Sequence, residues 1–144
     1  MLSLEESLKI LKETRALIEG HFILSSGLHS SKYVQCAQLM SKPNKAQSIC
    51  ISLAEKINKE FPDFDLILSP AMGGVIIGYE IGKILKKETI YSERVNGVFQ
   101  LRRDFNIKKN SKVLVVEDVI TTGKSSLECS KLVTSNQGNI IGYA

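Results

Sequence analysis

Apolar residues along the chain follow two patterns, one typical of helices and one typical of buried strands. Apolar residues at helical spacing predict four helices, at residues 3–19, 41–61, 75–87 and 122–137. Short unbroken apolar runs rich in β-branched residues predict four strands, at residues 65–70, 89–93, 113–116 and 139–144. Strands that alternate with helices favour an α/β fold, in which a mainly parallel sheet has helices on both faces.

The segment at residues 20–40 departs from this alternation. Two short strand-like runs, at 21–24 and 32–36, flank a small polar loop at 25–31. Gly27 lets that loop adopt a positive φ. Composition alone therefore favours a plain hairpin here.

The composition is that of an ordinary globular protein, with 43% hydrophobic and 24% charged residues among 144. A chain of this length forms one domain that buries about two thirds of its unfolded surface. No apolar run approaches the roughly 20 residues of a membrane span, and the N-terminus lacks the pattern of a signal peptide. Three cysteines without metal-binding spacing predict reduced, buried side chains (Cys36, Cys50 and Cys129). We expect a cytoplasmic protein with no membrane partner.

The net charge of +4 is unevenly distributed. The segment from Lys83 to Lys109 contains eight basic and three acidic residues, a net +5. A local basic segment favours an anionic ligand. Nucleic acid is the less favoured partner, because the chain has no Trp, only 6% aromatic residues and no alternation of basic with aromatic side chains.

The most informative stretch is residues 112–126. A buried strand at 113–116 leads directly into Glu117 and Asp118, and a small hydroxyl-rich loop at 121–126 then opens a helix. Two acids at the end of a buried strand need water, a cation or a polyol as partners. The loop and the helix N-terminus can direct several backbone N–H groups at one anion. The stretch therefore suits a ligand with a phosphate and a vicinal diol.

Two other interpretations of this stretch are a nucleotide-binding loop and an ordinary turn. Gly123-Lys124-Ser125 matches the end of a nucleotide-triphosphate P-loop, but that motif needs Gly at position 118, which is Asp. An ordinary strand-to-helix turn with solvated acids would explain Thr-Gly-Lys-Ser alone. It explains the complete combination of acids and loop less well.

The combination of strand, two acids, two variable residues and Thr-Thr-Gly resembles the phosphoribosyl-diphosphate (PRPP) signature of the type I phosphoribosyltransferases. The resemblance implies that family's fold, with a small N-terminal hood formed by about 20–40. It also implies that the loop holds the 5-phosphate of PRPP and that the two acids hold the ribose hydroxyls. The PRPP-binding residues would then be Glu117, Asp118, Val119, Ile120, Thr121, Thr122, Gly123, Lys124 and Ser125.

Residues 26–33, Ser-Gly-Leu-His-Ser-Ser-Lys-Tyr, resemble the N-terminal motif of the orotate phosphoribosyltransferases. By that likeness, Lys32 reaches PRPP and orotate, and Thr121 contacts orotate. The implied reaction converts orotate and PRPP into orotidine 5′-monophosphate and diphosphate, a step of UMP biosynthesis. A phosphoribosyltransferase for another base, and a PRPP-binding regulator or inactive module, remain alternatives.

Two further loops have counterparts in the family. Gly73 lies in a loop that contacts the diphosphate, here through its backbone at most, because some relatives carry Lys at this place. Residues 94–109 resemble the mobile catalytic loop, in which Arg94, Arg102 and Arg103 would close on the diphosphate. Without the resemblance, the first is a tight turn and the second a solvated basic hairpin.

The implied chemistry needs no nucleophile. Glu117, Asp118, Arg102 and Arg103 would act by positioning and by electrostatic stabilisation. The expected cofactor is Mg²⁺, held through PRPP and through water near Asp118 and not by direct protein ligands. The resemblance also implies a homodimer in which the mobile loop reaches the neighbouring site. The family continues beyond a strand that corresponds to 139–144, so we expect the C-terminal part to be truncated.

Overall fold

The computed structural model describes residues 1–24 and 26–144, in two compact units, Met1–Ile49 and Cys50–Ala144. The first unit contains helix α1 (Leu4–Glu13) and the antiparallel strands β1 (Leu17–Ile23) and β2 (His29–Val34). A short helix α2 (Cys36–Met40) follows, and helix α3 (Pro43–Glu60) begins in this unit. The prediction of a single domain is not tested by this division and stays a prediction.

The first predicted helix is correct at its start and too long at its end. The Ser3 hydroxyl accepts a hydrogen bond from the Glu6 N–H and the Glu6 carboxylate accepts one from the Ser3 N–H, which is the capping box expected from sequence. The helix ends at Glu13, because the Arg15 N–H donates to Lys12 O and the Ala16 N–H donates to Leu11 O, as in a Schellman motif. Arg15 then adopts a φ of 60° and turns the chain into β1.

The second unit contains a five-stranded sheet in the order β5-β4-β3-β6-β7. Its strands are β3 (Leu66–Pro70), β4 (Glu88–Val95), β5 (Val98–Leu101), β6 (Lys112–Val115) and β7 (Asn139–Tyr143), with helices α4 (Gly74–Leu85) and α5 (Lys124–Ser135). All neighbouring strands are parallel except β4 and β5, which are antiparallel. The predicted α/β class with a mainly parallel sheet is confirmed.

Helices α4 and α5 cover opposite faces of the sheet. Leu66 and Leu68 of β3 share a buried cluster with Cys129 and Val133 of α5. Ser69, which alternates with Leu68 and therefore faces the other way, lies against α4. The three cysteines, all within the described residues, are buried as predicted.

Helix α4 lies close to the sheet because glycine recurs at every fourth position, Gly74, Gly78 and Gly82. A Cβ at Gly78 would lie 2.1 Å from the Ser69 hydroxyl, and one at Gly82 would lie 1.9 Å from the Thr89 hydroxyl. Side chains at these positions would therefore push the helix away from the sheet. No helix in the described part of the chain is both long and apolar enough to cross a membrane.

The stretch predicted as a loop at 94–109 is a hairpin in its first half. β4 continues to Val95 and pairs with β5, and Asn96 and Gly97 form the turn with φ values of 51° and 81°. Two central residues with positive φ are typical of the type I′ turn that Asn-Gly favours. The remainder, from Arg102, is irregular up to β6.

Candidate active site

The connections that follow β3 and β6 lie at one edge of the sheet. The two strands are adjacent and parallel, so their carboxyl ends coincide. In open α/β sheets this edge is where ligands bind. The site described below lies entirely within the second unit.

The acid pair follows β6 directly and is half-buried. The backbone places it, because the Val116 N–H donates to Leu68 O and the Glu117 N–H donates to Ala144 O. The hydroxyl of Ser126, which is 3% exposed, donates to the Glu117 carboxylate at 2.5 Å. The Glu117 side chain is thus held from α5, while part of its carboxylate remains available to a ligand.

Asp118 brings the β3 and β6 connections together. A Cβ built on Gly73 would lie 2.5 Å from both carboxylate oxygens of Asp118. Gly73 has an ordinary helical backbone conformation, with φ −58° and ψ −40°. A side chain here would therefore displace the Asp118 carboxylate, whereas the backbone angles suit any residue. Two loops that are 45 positions apart in sequence form one surface here.

The start of α5 provides an anion-binding geometry beside the acids. Gly123 caps the helix with a φ of 74°, and no side chain bonds to the cap. The Lys124 N–H makes only a long 3.4 Å contact with the Thr122 hydroxyl. The first N–H groups of a helix have no intrahelical acceptor, and they carry partial positive charge. Thr121 and Thr122 are exposed, so a phosphate can approach this helix start from solvent.

The β3 connection adds backbone to the same edge. Its Ala71–Met72 peptide bond is cis, and the Ala71 N–H donates to Ser92 O of β4. Gly74 is packed against Pro70, Ser69 and the Val116 carbonyl, so the turn into α4 is tight.

The three predicted arginines differ in what they contact. Arg94 forms an ion pair with Glu128 at 2.6 Å, and its guanidinium lies 4.0 Å from the centre of the Phe99 ring. Arg103 donates two hydrogen bonds to Glu93, at 2.9 and 3.0 Å. Within residues 1–24 and 26–144, Arg102 forms no ion pair.

The Glu93–Arg103 pair shifts the titration of both groups. The hydrogen bonds from Arg103 hold the pKa of the Glu93 carboxyl below its ordinary value, and the carboxylate raises the pKa of Arg103. The Arg103 side chain is 55% exposed and that of Glu93 is 22% exposed, so the pair lies at the surface and is partly screened by solvent.

Lys32 belongs to the first unit. It lies in β2, opposite Glu19 of β1, with an exposed side chain. The hairpin loop around it is closed by the Leu24 N–H donating to Leu28 O, and Gly27 has a φ of 81°. The first residue of that loop, Ser25, lies outside the described residues.

Three functional neighbours were missed by sequence reasoning. Ser126 was only part of the loop motif, although its position in the first turn of α5 indicated that it could face the preceding acids. Glu93 and Glu128 were not recognised as partners of the arginines. The Asn96-Gly97 turn signal would have placed Glu93 and Arg103 near each other, whereas no sequence spacing links Arg94 to Glu128.

No group of three or more His, Cys, Asp or Glu residues in the described part of the chain could hold a metal ion. The expectation that no metal is held by direct protein ligands stays a prediction. A hydrated Mg²⁺ that arrives with a phosphate ligand needs only one or two carboxylates, which the acid pair supplies.

Comparisons with known proteins assign a family. The phosphoribosyl transferase domain matches residues 37–144. An orotate phosphoribosyltransferase from Helicobacter acinonychis (strain Sheeba) is 44% identical over 133 residues, which is 92% of this chain and 66% of that protein. The chain thus spans slightly less than two thirds of that relative.

Two solved structures have the same architecture. The orotate phosphoribosyltransferase from Aeropyrum pernix superposes with a TM-score of 0.80 at 26% identity, covering 94% of this chain and 77% of that one. The UMP synthase of Leishmania donovani gives a TM-score of 0.82 at 21% identity, covering 99% of this chain and 31% of that one. The second likeness shows the fold alone.

Proposed function

The chain belongs to the phosphoribosyl transferase domain family, and from this we propose that it is an orotate phosphoribosyltransferase. It would convert orotate and PRPP into orotidine 5′-monophosphate and diphosphate, a step of UMP biosynthesis. The name of the relative that is 44% identical supports this choice of base. The observation that carries the proposal is the shared edge at which Asp118 lies against Gly73 and Glu117 contacts the first turn of α5.

PRPP binding follows from the chemistry of this edge. The N–H groups and hydroxyls from Thr121 to Ser125 hold the 5-phosphate, and backbone groups at Val119 and Ile120 complete the loop. Glu117 and Asp118 accept hydrogen bonds from the ribose hydroxyls. The Ser126 hydroxyl fixes the orientation of Glu117, so that this carboxylate is positioned before the ligand arrives.

Transfer at the anomeric carbon develops positive charge on the ribosyl group and negative charge on the departing diphosphate. The two carboxylates would stabilise the first charge, and cations around the diphosphate would stabilise the second. When bound, Mg²⁺ neutralises part of the diphosphate charge. Asp118 would hold it through water, and the backbone at Gly73 would contact the diphosphate.

The arginines supply the remaining cations. Arg102 has no ion pair to break among the described residues and is the most available. Arg103 and Arg94 would have to exchange Glu93 and Glu128 for the diphosphate. The Arg103 side chain is 55% exposed, so its exchange of Glu93 for a multiply charged anion is energetically accessible, whereas Arg94 would have to leave a Glu128 carboxylate that is only 29% exposed. Closure of this segment would also exclude water.

The roles of the first unit rest on the resemblance of its motif. Lys32 is proposed as a contact of PRPP and orotate, and Thr121 as a second contact of orotate. A homodimer that shares the segment at 94–109 across its interface, and a cytoplasmic location, are proposed on the same basis.

The test is the ultraviolet absorbance of orotate mixed with the protein, PRPP and Mg²⁺. We expect loss of the orotate band only when all components are present. PRPP binding without any loss of that band would contradict the enzyme assignment and favour the regulator. Consumption of PRPP with another base, but not with orotate, would support a phosphoribosyltransferase and show that only the proposed base is wrong.

A further inference from the structure

A cleft of about 590 Å³ lies at the opposite edge of the sheet from the candidate active site. Its walls are formed by the beginnings of β3 and β4 and by the residues that precede β6. Parallel strands place these beginnings at one edge and their carboxyl ends at the other. The cleft is therefore separated from the acid pair by the length of the sheet.

Basic residues dominate the charges of this cleft. Four lysines line it against two acids: Lys86, Lys87, Lys108, Lys109, Asp65 and Glu88. The Asp65 carboxylate is already engaged by the fold, because it accepts a hydrogen bond from the Lys112 N–H at 2.8 Å. Four of the eight basic residues of the 83–109 segment thus lie at one concave surface.

The lysines are carried on well-supported backbone. Ile107 is buried in the core, and Lys108 follows it directly. The Ser111 N–H donates to Lys108 O, and the Asn110 N–H donates to Gln137 O, which closes and anchors the turn. On the other wall, the Lys87 ammonium donates to Phe64 O at 2.5 Å and lies over the Phe64 ring. The backbone that carries these lysines is therefore fixed, and the Lys87 side chain is held as well.

Three of these lysines lack an anionic partner. Outside the single residue that the structure leaves undescribed, Lys86, Lys108 and Lys109 form no ion pair. Some exposed lysines elsewhere do pair with an acid, among them Lys12, Lys45, Lys83 and Lys112. Because four lysines and only two acids line the cleft, it carries an excess of positive charge, which a multiply charged anion would offset.

We infer that this cleft is a second anion site, which binds a chain of two or more phosphates. Lysines around a concave surface suit phosphate oxygens, and Asn106, Asn110 and Ser111 add neutral polar groups. A nucleic-acid strand fits less well, because Phe64 is 2% exposed and offers no ring on which a base can stack. The site is independent of the proposed catalytic function.

The test is an NMR titration of the ¹⁵N-labelled protein with inorganic tripolyphosphate at constant ionic strength. We expect saturable amide shifts at 86–88 and 106–111, apart from any shifts at 117–126. Lys108→Gln/Lys109→Gln weakens binding at the first set by about tenfold. The control Lys56→Gln/Lys59→Gln removes the same charge from exposed positions of α3 and leaves that binding unchanged.

Other outcomes of the titration are equally decisive. Shifts confined to 117–126, or equal weakening by both double variants, would overturn the proposal. Tighter binding of a short single-stranded oligonucleotide, with shifts spread beyond the cleft, would replace it with a nucleic-acid surface. A parallel titration with ATP distinguishes a nucleotide from free polyphosphate. If the first double variant lost its folded spectrum, Lys86→Gln provides the same test from the other wall.

Discussion

Ser126 and Glu117 are joined by a hydrogen bond that links the first turn of α5 to the end of β6. The donor is buried and the acceptor is half-buried, so the bond fixes a carboxylate at the edge where ligand groups converge. Loss of this bond would free the Glu117 side chain, which the proposed chemistry needs in one orientation.

Ser126→Ala should therefore raise the KM for PRPP severalfold. Removal of a hydrogen bond to a charged group costs about 1.5–3 kcal/mol when the partner stays buried, and less here because Glu117 retains access to solvent. Steady-state kinetics and urea denaturation measure the two effects. Ser135→Ala, which removes an exposed hydroxyl of the same helix, is the control. Unchanged kinetics in Ser126→Ala would show that Glu117 needs no support from α5.

Gly73→Ala should lower kcat/KM by about tenfold or more while the protein stays folded. The added methyl group would overlap the Asp118 carboxylate, although alanine suits the helical backbone angles at this position. The cause can be identified with a double-mutant cycle. If displacement of Asp118 explains the loss, Gly73→Ala has little further effect in an Asp118→Asn background. Additive losses would point to a different cause.

Gly78→Ala should destabilise the fold, although alanine favours helices by about 1 kcal/mol over glycine. Its methyl group would collide with the Ser69 hydroxyl, and overpacking of this kind costs about 1–3 kcal/mol. Urea denaturation measures whether the substitution lowers or raises the free energy of unfolding. The double variant Ser69→Ala/Gly78→Ala should recover part of the loss, because the closest clashing atom is gone. A stabilised Gly78→Ala would show that α4 is free to move away from the sheet.

The Glu93–Arg103 pair predicts a pH dependence with a definite sign. The folded-state pKa of Glu93 is below its ordinary value of 4.5, so the pair stabilises the fold above that pH and its contribution is lost as the pH falls through the lowered pKa. Arg103→Gln should return the pKa toward the ordinary value. An NMR titration of the Glu93 carboxyl group measures this pKa. In the wild type, PRPP with Mg²⁺ should raise the Glu93 pKa if Arg103 leaves for the diphosphate. An unchanged pKa would contradict that exchange.

The parts of the site that are local in sequence could be predicted. Glu117 to Ser125 occupy one strand-to-helix connection, so their order along the chain determines their arrangement. The contact between Gly73 and Asp118 depends on the pairing of β3 with β6. No single segment of the sequence determines which strands pair. Asn96-Gly97 is a recognisable turn signal, but it lies in a basic segment whose resemblance predicted a mobile loop. The first helix was overextended because Ile18 continues its apolar period, whereas the Thr14 cap had already ended it.

The most direct measurement is the rate of orotate consumption by the wild type and by Asp118→Asn, with Asp63→Asn as the control. Asp63 is an exposed acid that pairs with Lys112, so its loss should leave turnover unchanged. We predict that Asp118→Asn lowers turnover by about tenfold or more while circular dichroism shows an intact fold. Full activity in Asp118→Asn would contradict the assignment of this edge as the active site.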